Sequence, residues 1–141
     1  SIAAVAATPN RPVLALIGDG SLGMSLGELE TLARTGGPVV LVVLNDSSYG
    51  NIRQEQVLHF DGRTIGVDFG DVDFAQVATG MGLAAKRVTD VDDLVATVAD
   101  AFTASRPFVV DVVLDRTANA WTYPAFVPFQ AATPASGQGA G

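Results

Sequence analysis

Gly18-Asp19-Gly20 closes one apolar run of the chain, and Asn45-Asp46 closes the next. The residues between them, 21 to 44, suffice for one helix and one strand. That spacing predicts Asp19 and Asp46 side by side at the carboxyl ends of neighbouring strands. In an open α/β sheet this is the edge where ligands bind. Two carboxylates held together repel one another and call for a cation, while glycines leave bare backbone for an anion's oxygens. The pair predicts a metal-bridged phosphate site. Mg²⁺ suits it, because that ion takes carboxylate and carbonyl oxygens together with phosphate oxygens.

The elements that must position these residues are legible from the pattern. Pro12 opens a strand over 13–17, which reads as buried and ends at the glycines. Ser25 followed three residues later by Glu28 has capping-box spacing, so a helix is expected to begin there. Leu26, Leu29, Leu32 and Ala33 give it an apolar face, and Gly36-Gly37-Pro38 stop it. Residues 39–44 are apolar at every position, as a central parallel strand covered on both faces requires. A polar, glycine-rich loop follows from Asp46 to about Asp73, with a short helix near residues 52–57. Connections this long inside a domain usually serve function.

Beyond the loop, the pattern predicts a helix over 74–80, a strand over 84–88, a helix over 90–105 and a strand over 108–114. The 90–105 helix carries acids in its first turn and an apolar face of Leu94, Val95, Val98, Ala101 and Phe102. Residues 131–141 form a low-complexity tail expected to be disordered. The alternation implies an α/β class: a doubly wound, mainly parallel sheet with helices on both faces. Residues 1–130 are expected to make one domain.

Bulk properties narrow the chemistry. Net charge is −7 and Lys86 is the sole lysine, a balance that repels nucleic acid. A phosphate ligand must therefore rely on backbone N–H groups, a helix N-terminus and a divalent cation. No apolar run approaches the roughly 18 residues of a membrane span. The absence of cysteine excludes disulfides and thiolate metal sites and fits a cytoplasmic setting.

A rival reading uses the same residues. Gly18-Asp19-Gly20-Ser21-Leu22-Gly23 satisfies the dinucleotide fingerprint G-x-G-x-x-G, with Asp46 as the acid at the end of the next strand. Such a site belongs to an NAD(P)- or FAD-binding oxidoreductase. Against it, the capping signal at Ser25 sets the helix start late, and Asp19 would face a pyrophosphate with no compensating charge. A non-catalytic α/β interaction module is the third alternative.

The segment GDGSLGMSLGELETLARTGGPVVLVVLNDSSYG resembles the cofactor-binding signature of thiamine diphosphate enzymes, which runs from GDG to a pair usually written NN. Its texture is nearest to the acetolactate synthase, benzoylformate decarboxylase and pyruvate decarboxylase group, from about Ser1 to Asp115. The resemblance implies that Asp19 ligates Mg²⁺, that Asp46 takes the second ligand position, normally asparagine, and that Ser48 offers its backbone carbonyl. Gly18, Gly20 and Ser21 would lie against the diphosphate, with Tyr49 and Gly50 in the loop over it. Aspartate at position 46 adds negative charge beside the diphosphate, and binding is expected to survive it.

The implied chemistry is decarboxylation of a 2-keto acid on the thiazolium, followed by protonation or attack on a second carbonyl, as in lyases and transferases of this group. The activating glutamate comes from a pyrimidine-binding domain, in the same enzyme or on a partner subunit, so a homo-oligomer is expected. The resemblance also leads to the expectation that the helix and loop which normally precede Ser1 are missing. The chain is therefore expected to be a fragment or one subunit of a split enzyme, inactive alone.

Ile52 would sit near the thiazolium, where pyruvate decarboxylases carry glutamate; an apolar residue there is more similar to synthases and carboligases. Arg53 is a candidate contact for the substrate carboxylate, or a surface ion pair. Plant-type and fungal acetolactate synthases carry methionine and tryptophan where this chain has Asn51 and Glu55, so their substrate pocket is not reproduced. His59, the sole histidine, reads as a solvated loop residue. Asp71 and Asp73 are expected to cap the helix at 74. Trp121, Tyr123, Phe126 and Phe129 suggest a domain or dimer contact, or a cover for the sheet edge.

Overall fold

Valine-rich runs dominate the strands because β-branched side chains pack well on a pleated surface. The computed structural model describes residues 2–8 and 11–116. It contains strands β1 (Val13–Gly18), β2 (Val39–Asn45), β3 (Ala84–Val88) and β4 (Phe108–Val113). They form one parallel sheet in the order β1-β2-β4-β3. The helices are α1 (Ile2–Ala7), α2 (Asp19–Gly23), α3 (Glu28–Thr35), α4 (Gly50–His59), α5 (Phe74–Gly80) and α6 (Val91–Thr103).

Alternation along β2 divides the core in two. Val39, Leu41 and Val43 pack with Leu29, Leu32, Phe74 and Ala78 of α3 and α5, while Ile2 of α1 lies against the same cluster. Val40 and Val42 pack on the opposite face with Ala101, Leu94, Val98 and Phe102 of α6. The sheet is thus doubly wound, as the alternation of elements predicts. The α6 helix is capped by Asp90, whose carboxylate accepts the Asp93 N–H at 2.7 Å.

Several local expectations need correction. β1 is an edge strand rather than a buried one: none of its residues joins the apolar cluster packed on α6, and Leu14 and Leu16 are 51% and 66% exposed. Val95 lies off the packed stripe of α6 and is exposed as well. Ser25 caps nothing with its side chain; its hydroxyl donates back to Ser21 O at 3.2 Å, and Gly27 holds the N-cap position of α3. A helical turn, α2, already begins at Asp19. The short helix expected near 52–57 spans a full ten residues as α4. Asp73 caps α5 through the Gln76 N–H at 2.8 Å, but Asp71 does not cap; it pairs with Arg87. The aromatic residues from Trp121 to Phe129, the tail 131–141 and the boundary at 130 lie outside the described residues.

Candidate functional site

β1 and β2 run parallel with Gly18 opposite Leu44, so the two strands deliver Asp19 and Asp46 to the same end of the sheet. There the chain turns sharply. The Ser48 N–H donates to Asp19 Oδ2 at 3.2 Å and to Asp46 Oδ1 at 3.1 Å. One amide therefore holds both carboxylates. Asp19 Oδ1 accepts the Gly20 N–H at 2.8 Å. Asp19 is 3% exposed, and burial pushes its carboxyl above the usual carboxylate range. The neighbouring Asp46 charge adds to the rise, while hydrogen bonds from Gly20, Ser48 and Ser47 oppose it.

A cavity of about 400 Å³ opens beside the pair. Gly18, Asp19, Gly20 and Ser21 line one side, Asp46, Ser48, Tyr49 and Gly50 another, and Met24, Leu44, Ile52 and Leu114 supply apolar surface. A Cβ at Gly18 would meet nothing within 4 Å, so bare backbone faces open space there. Gly50 is needed for a different reason: a Cβ would come within 2.9 Å of Asp46 Oδ2.

The chemistry of this donor set fits a hard divalent cation with a phosphate ligand. Among the described residues no group of three histidine, cysteine or acidic side chains converges, so further oxygens must come from backbone and ligand. Tyr49 N–H donates to Val67 O at 2.8 Å, so the Ser48 C=O points away from Val67 across a trans peptide. Ser48 Oγ is buried with no hydrogen-bond partner among the described residues, a polar atom left for a ligand or water.

Support for the turn comes from residues to which the sequence reading gave no role of their own. Asn45 is 2% exposed; its amide donates to Val72 O and to Asp111 Oδ1, both at 2.9 Å, and its Oδ1 accepts the Ser47 N–H at 3.2 Å. Asp111 is fully buried on β4, and burial raises its carboxyl above the ordinary range. Its second oxygen accepts the Phe74 N–H at 3.0 Å, and Arg87 Nε lies 3.7 Å away. An acid in the middle of the otherwise apolar 108–113 run was the available signal for this network. Arg116 reaches the turn from the far end of β4.

Two other sequence candidates lie off this cavity. Arg53 pairs with Asp68 at 3.1 Å and lines an adjoining cavity with Arg116, which shares Asp46, Ser48 and Gly50 with the first, whereas Ile52 lines the first. His59 is exposed at the end of α4 and lies 3.3 Å from Glu55 one turn earlier.

Comparison with known proteins identifies the arrangement. Residues 1–112 match the family described as thiamine pyrophosphate enzyme, C-terminal TPP binding domain. The chain belongs to this family. The thiamine diphosphate-binding domain is 34% identical over 119 residues to the acetolactate synthase of Bacillus subtilis, covering 84% of this chain and 21% of that protein. It is 35% identical over 116 residues to the pyruvate oxidase of Lactiplantibacillus plantarum, covering 81% and 19%. The solved structure of the thiamine diphosphate-dependent 4-hydroxybenzoylformate decarboxylase of Rhodococcus jostii matches with a TM-score of 0.74 at 31% identity, covering 81% of this chain and 22% of that one. The chain thus spans about a fifth of the length of these relatives. They favour the thiamine diphosphate reading over the dinucleotide one. A late helix start does not separate the two, since α2 begins at Asp19.

Proposed function

We propose that this domain anchors the diphosphate of thiamine diphosphate through Mg²⁺, in a 2-keto-acid decarboxylase or carboligase of the acetolactate synthase type. The observation that carries the reading is the convergence of two carboxylates, Asp19 and Asp46, on the single Ser48 amide beside the cavity. Asp19, Asp46 and the Ser48 carbonyl hold the metal. Gly18, Gly20 and Ser21 receive the diphosphate, with Tyr49 and Gly50 closing the loop over it. When bound, thiamine diphosphate supplies the carbon nucleophile for the keto acid. Ile52, Leu44 and Leu114 keep water from the reacting end of the cavity. The pyrimidine-binding domain and its activating glutamate come from outside this chain, in a cytoplasmic homo-oligomer. Arg53 is a weaker candidate for a substrate contact, because Asp68 already engages it.

Calorimetric titration of the 141-residue chain tests this. Thiamine diphosphate is expected to bind with Mg²⁺ present, and EDTA to remove the signal. Metal-independent binding of NADH would overturn the proposal in favour of the dinucleotide reading. No CO₂ is expected from pyruvate or benzoylformate with this chain alone. Turnover there would refute the assignment of the activating group to another domain.

A further inference from the structure

Arg116 lies just past β4, with its guanidinium turned back across the sheet end. Its Nε donates to Asp46 O at 2.9 Å and its Nη2 to Ser47 O at 3.0 Å, while Nη1 lies 3.4 Å from Asp68 Oδ1. Two consecutive carbonyls of the turn are therefore held by one planar fork, which arginine can present and lysine cannot. In a trans peptide the C=O and the following N–H point in opposite directions. Holding the Asp46 carbonyl toward Arg116 turns the Ser47 N–H toward Asn45 Oδ1. Holding the Ser47 carbonyl there, with help from the Phe69 N–H at 2.8 Å, turns the Ser48 N–H onto Asp19 and Asp46.

That orientation is not the one the backbone would choose unaided. Ser47 sits at φ 55°, in the left-handed region, without being glycine. Such a conformation is disfavoured for a residue with a side chain and persists only where surrounding contacts enforce it. Rotation of the peptide between Ser47 and Ser48 would point the amide away from both carboxylates.

We infer that Arg116 is a positioning residue: it fixes the Ser47–Ser48 peptide so that one amide aligns the Asp19 and Asp46 carboxylates for ligand binding. It touches neither carboxylate and acts through the turn. The affinity arm of the test rests on the proposed function; the backbone arm does not.

The experiment compares the 141-residue chain with its Arg116→Ala and Arg116→Lys variants. Amide hydrogen exchange is followed by NMR, and Mg²⁺-dependent thiamine diphosphate binding by calorimetry. In Arg116→Ala the Ser48 amide is expected to exchange about tenfold faster or more, with Val43 and Val110 in the core unchanged. Affinity should fall about tenfold, since two hydrogen bonds from a charged donor are lost. Arg116→Lys should lie between the two, because an ammonium restores charge but not the fork.

Unchanged exchange at Ser48 would overturn the inference. Equal acceleration in the core would overturn it too, by showing a general stabilising role. Faster exchange with undiminished affinity would refute the positioning of the site. If the unsubstituted chain binds no thiamine diphosphate, the proposed function fails, and release of the Ser48 amide alone in Arg116→Ala still supports the role of Arg116 in the turn.

Discussion

Asp19→Asn is expected to abolish magnesium-dependent thiamine diphosphate binding and, in the same chain, to raise the melting temperature of the metal-free domain. The two effects share one cause. Asp19 is 3% exposed and faces Asp46 across a shared amide, so its negative charge is desolvated and repelled unless a cation sits between them. A metal converts that repulsion into coordination. Asparagine removes the charge while its Oδ1 can still accept the Gly20 N–H that Asp19 now receives at 2.8 Å; the Ser48 N–H loses Asp19 as an acceptor but keeps Asp46 Oδ1 at 3.1 Å. Relief of about 1 kcal/mol would raise the melting temperature by roughly 3 °C in a domain of this size. Binding strain at a site traded against stability is common in enzymes.

The pH dependence gives the prediction a second handle. In the folded chain the Asp19 carboxyl titrates above its ordinary value of 3.8. Between those two values the folded state holds more protons than the unfolded state, so stability falls as pH rises. Above the folded value the penalty is complete; below 3.8 it is absent. The advantage of Asp19→Asn should therefore be full at neutral pH and shrink as pH falls through Asp19's folded pKa toward 3.8. Melting curves of both metal-free chains across that range measure it directly. A lower melting temperature for the variant at neutral pH, or a difference independent of pH, would refute the electrostatic account.

Asp111 shows why the same logic does not extend to every buried acid. Burial raises its carboxyl too, yet its oxygens are taken by Asn45 and Phe74 N–H donors, with Arg87 nearby. Removing that carboxylate strands buried donors, which costs more than the charge does. On the proposed function, one acid is held for a ligand and the other for the fold.

This difference also marks what the chain made legible. The sheet and helices α3, α5 and α6 followed from the pattern, because runs such as 39–44 have few other solutions once both faces are apolar; α1 and α2 did not. The placement of Asp19 and Asp46 followed as well, since parallel strands one helix apart must end together. What escaped was tertiary. The exposure of Leu14 and Leu16 depends on α6 covering only the other strands, which no local pattern records. Ser25 carried a capping signal, but α2 forms at Asp19 and leaves Gly27 to open α3. Nothing local marks Arg116; its partners, Asp46 and Ser47, lie 70 and 69 residues earlier in the chain.

Gly20 supplies the other large expected effect, and its sign reverses with context. Phosphate contact would be one reason for a glycine there under the proposed function, but the structure gives a steric one. A Cβ at Gly20 would fall 2.6 Å from Tyr49 Cδ1 and 2.9 Å from Cε1. The ring cannot easily withdraw, because Phe69 packs edge-on against it with centroids 4.5 Å apart. Forcing a methyl group into such a contact costs roughly 1–3 kcal/mol. Gly20 also lies within α2, where alanine's helix propensity returns up to about 1 kcal/mol. Gly20→Ala should therefore be destabilised by about 1–2 kcal/mol, with weakened cofactor binding as Tyr49 and the adjoining Gly50 shift. In a Tyr49→Ala background the clash is gone and the propensity gain remains. There the same substitution should be neutral or stabilising, giving a coupling energy of about 2 kcal/mol in the double-mutant cycle. Urea denaturation of the four chains measures it. Additive costs would show that Tyr49 is not what demands glycine at position 20, and would leave the ligand as the reason.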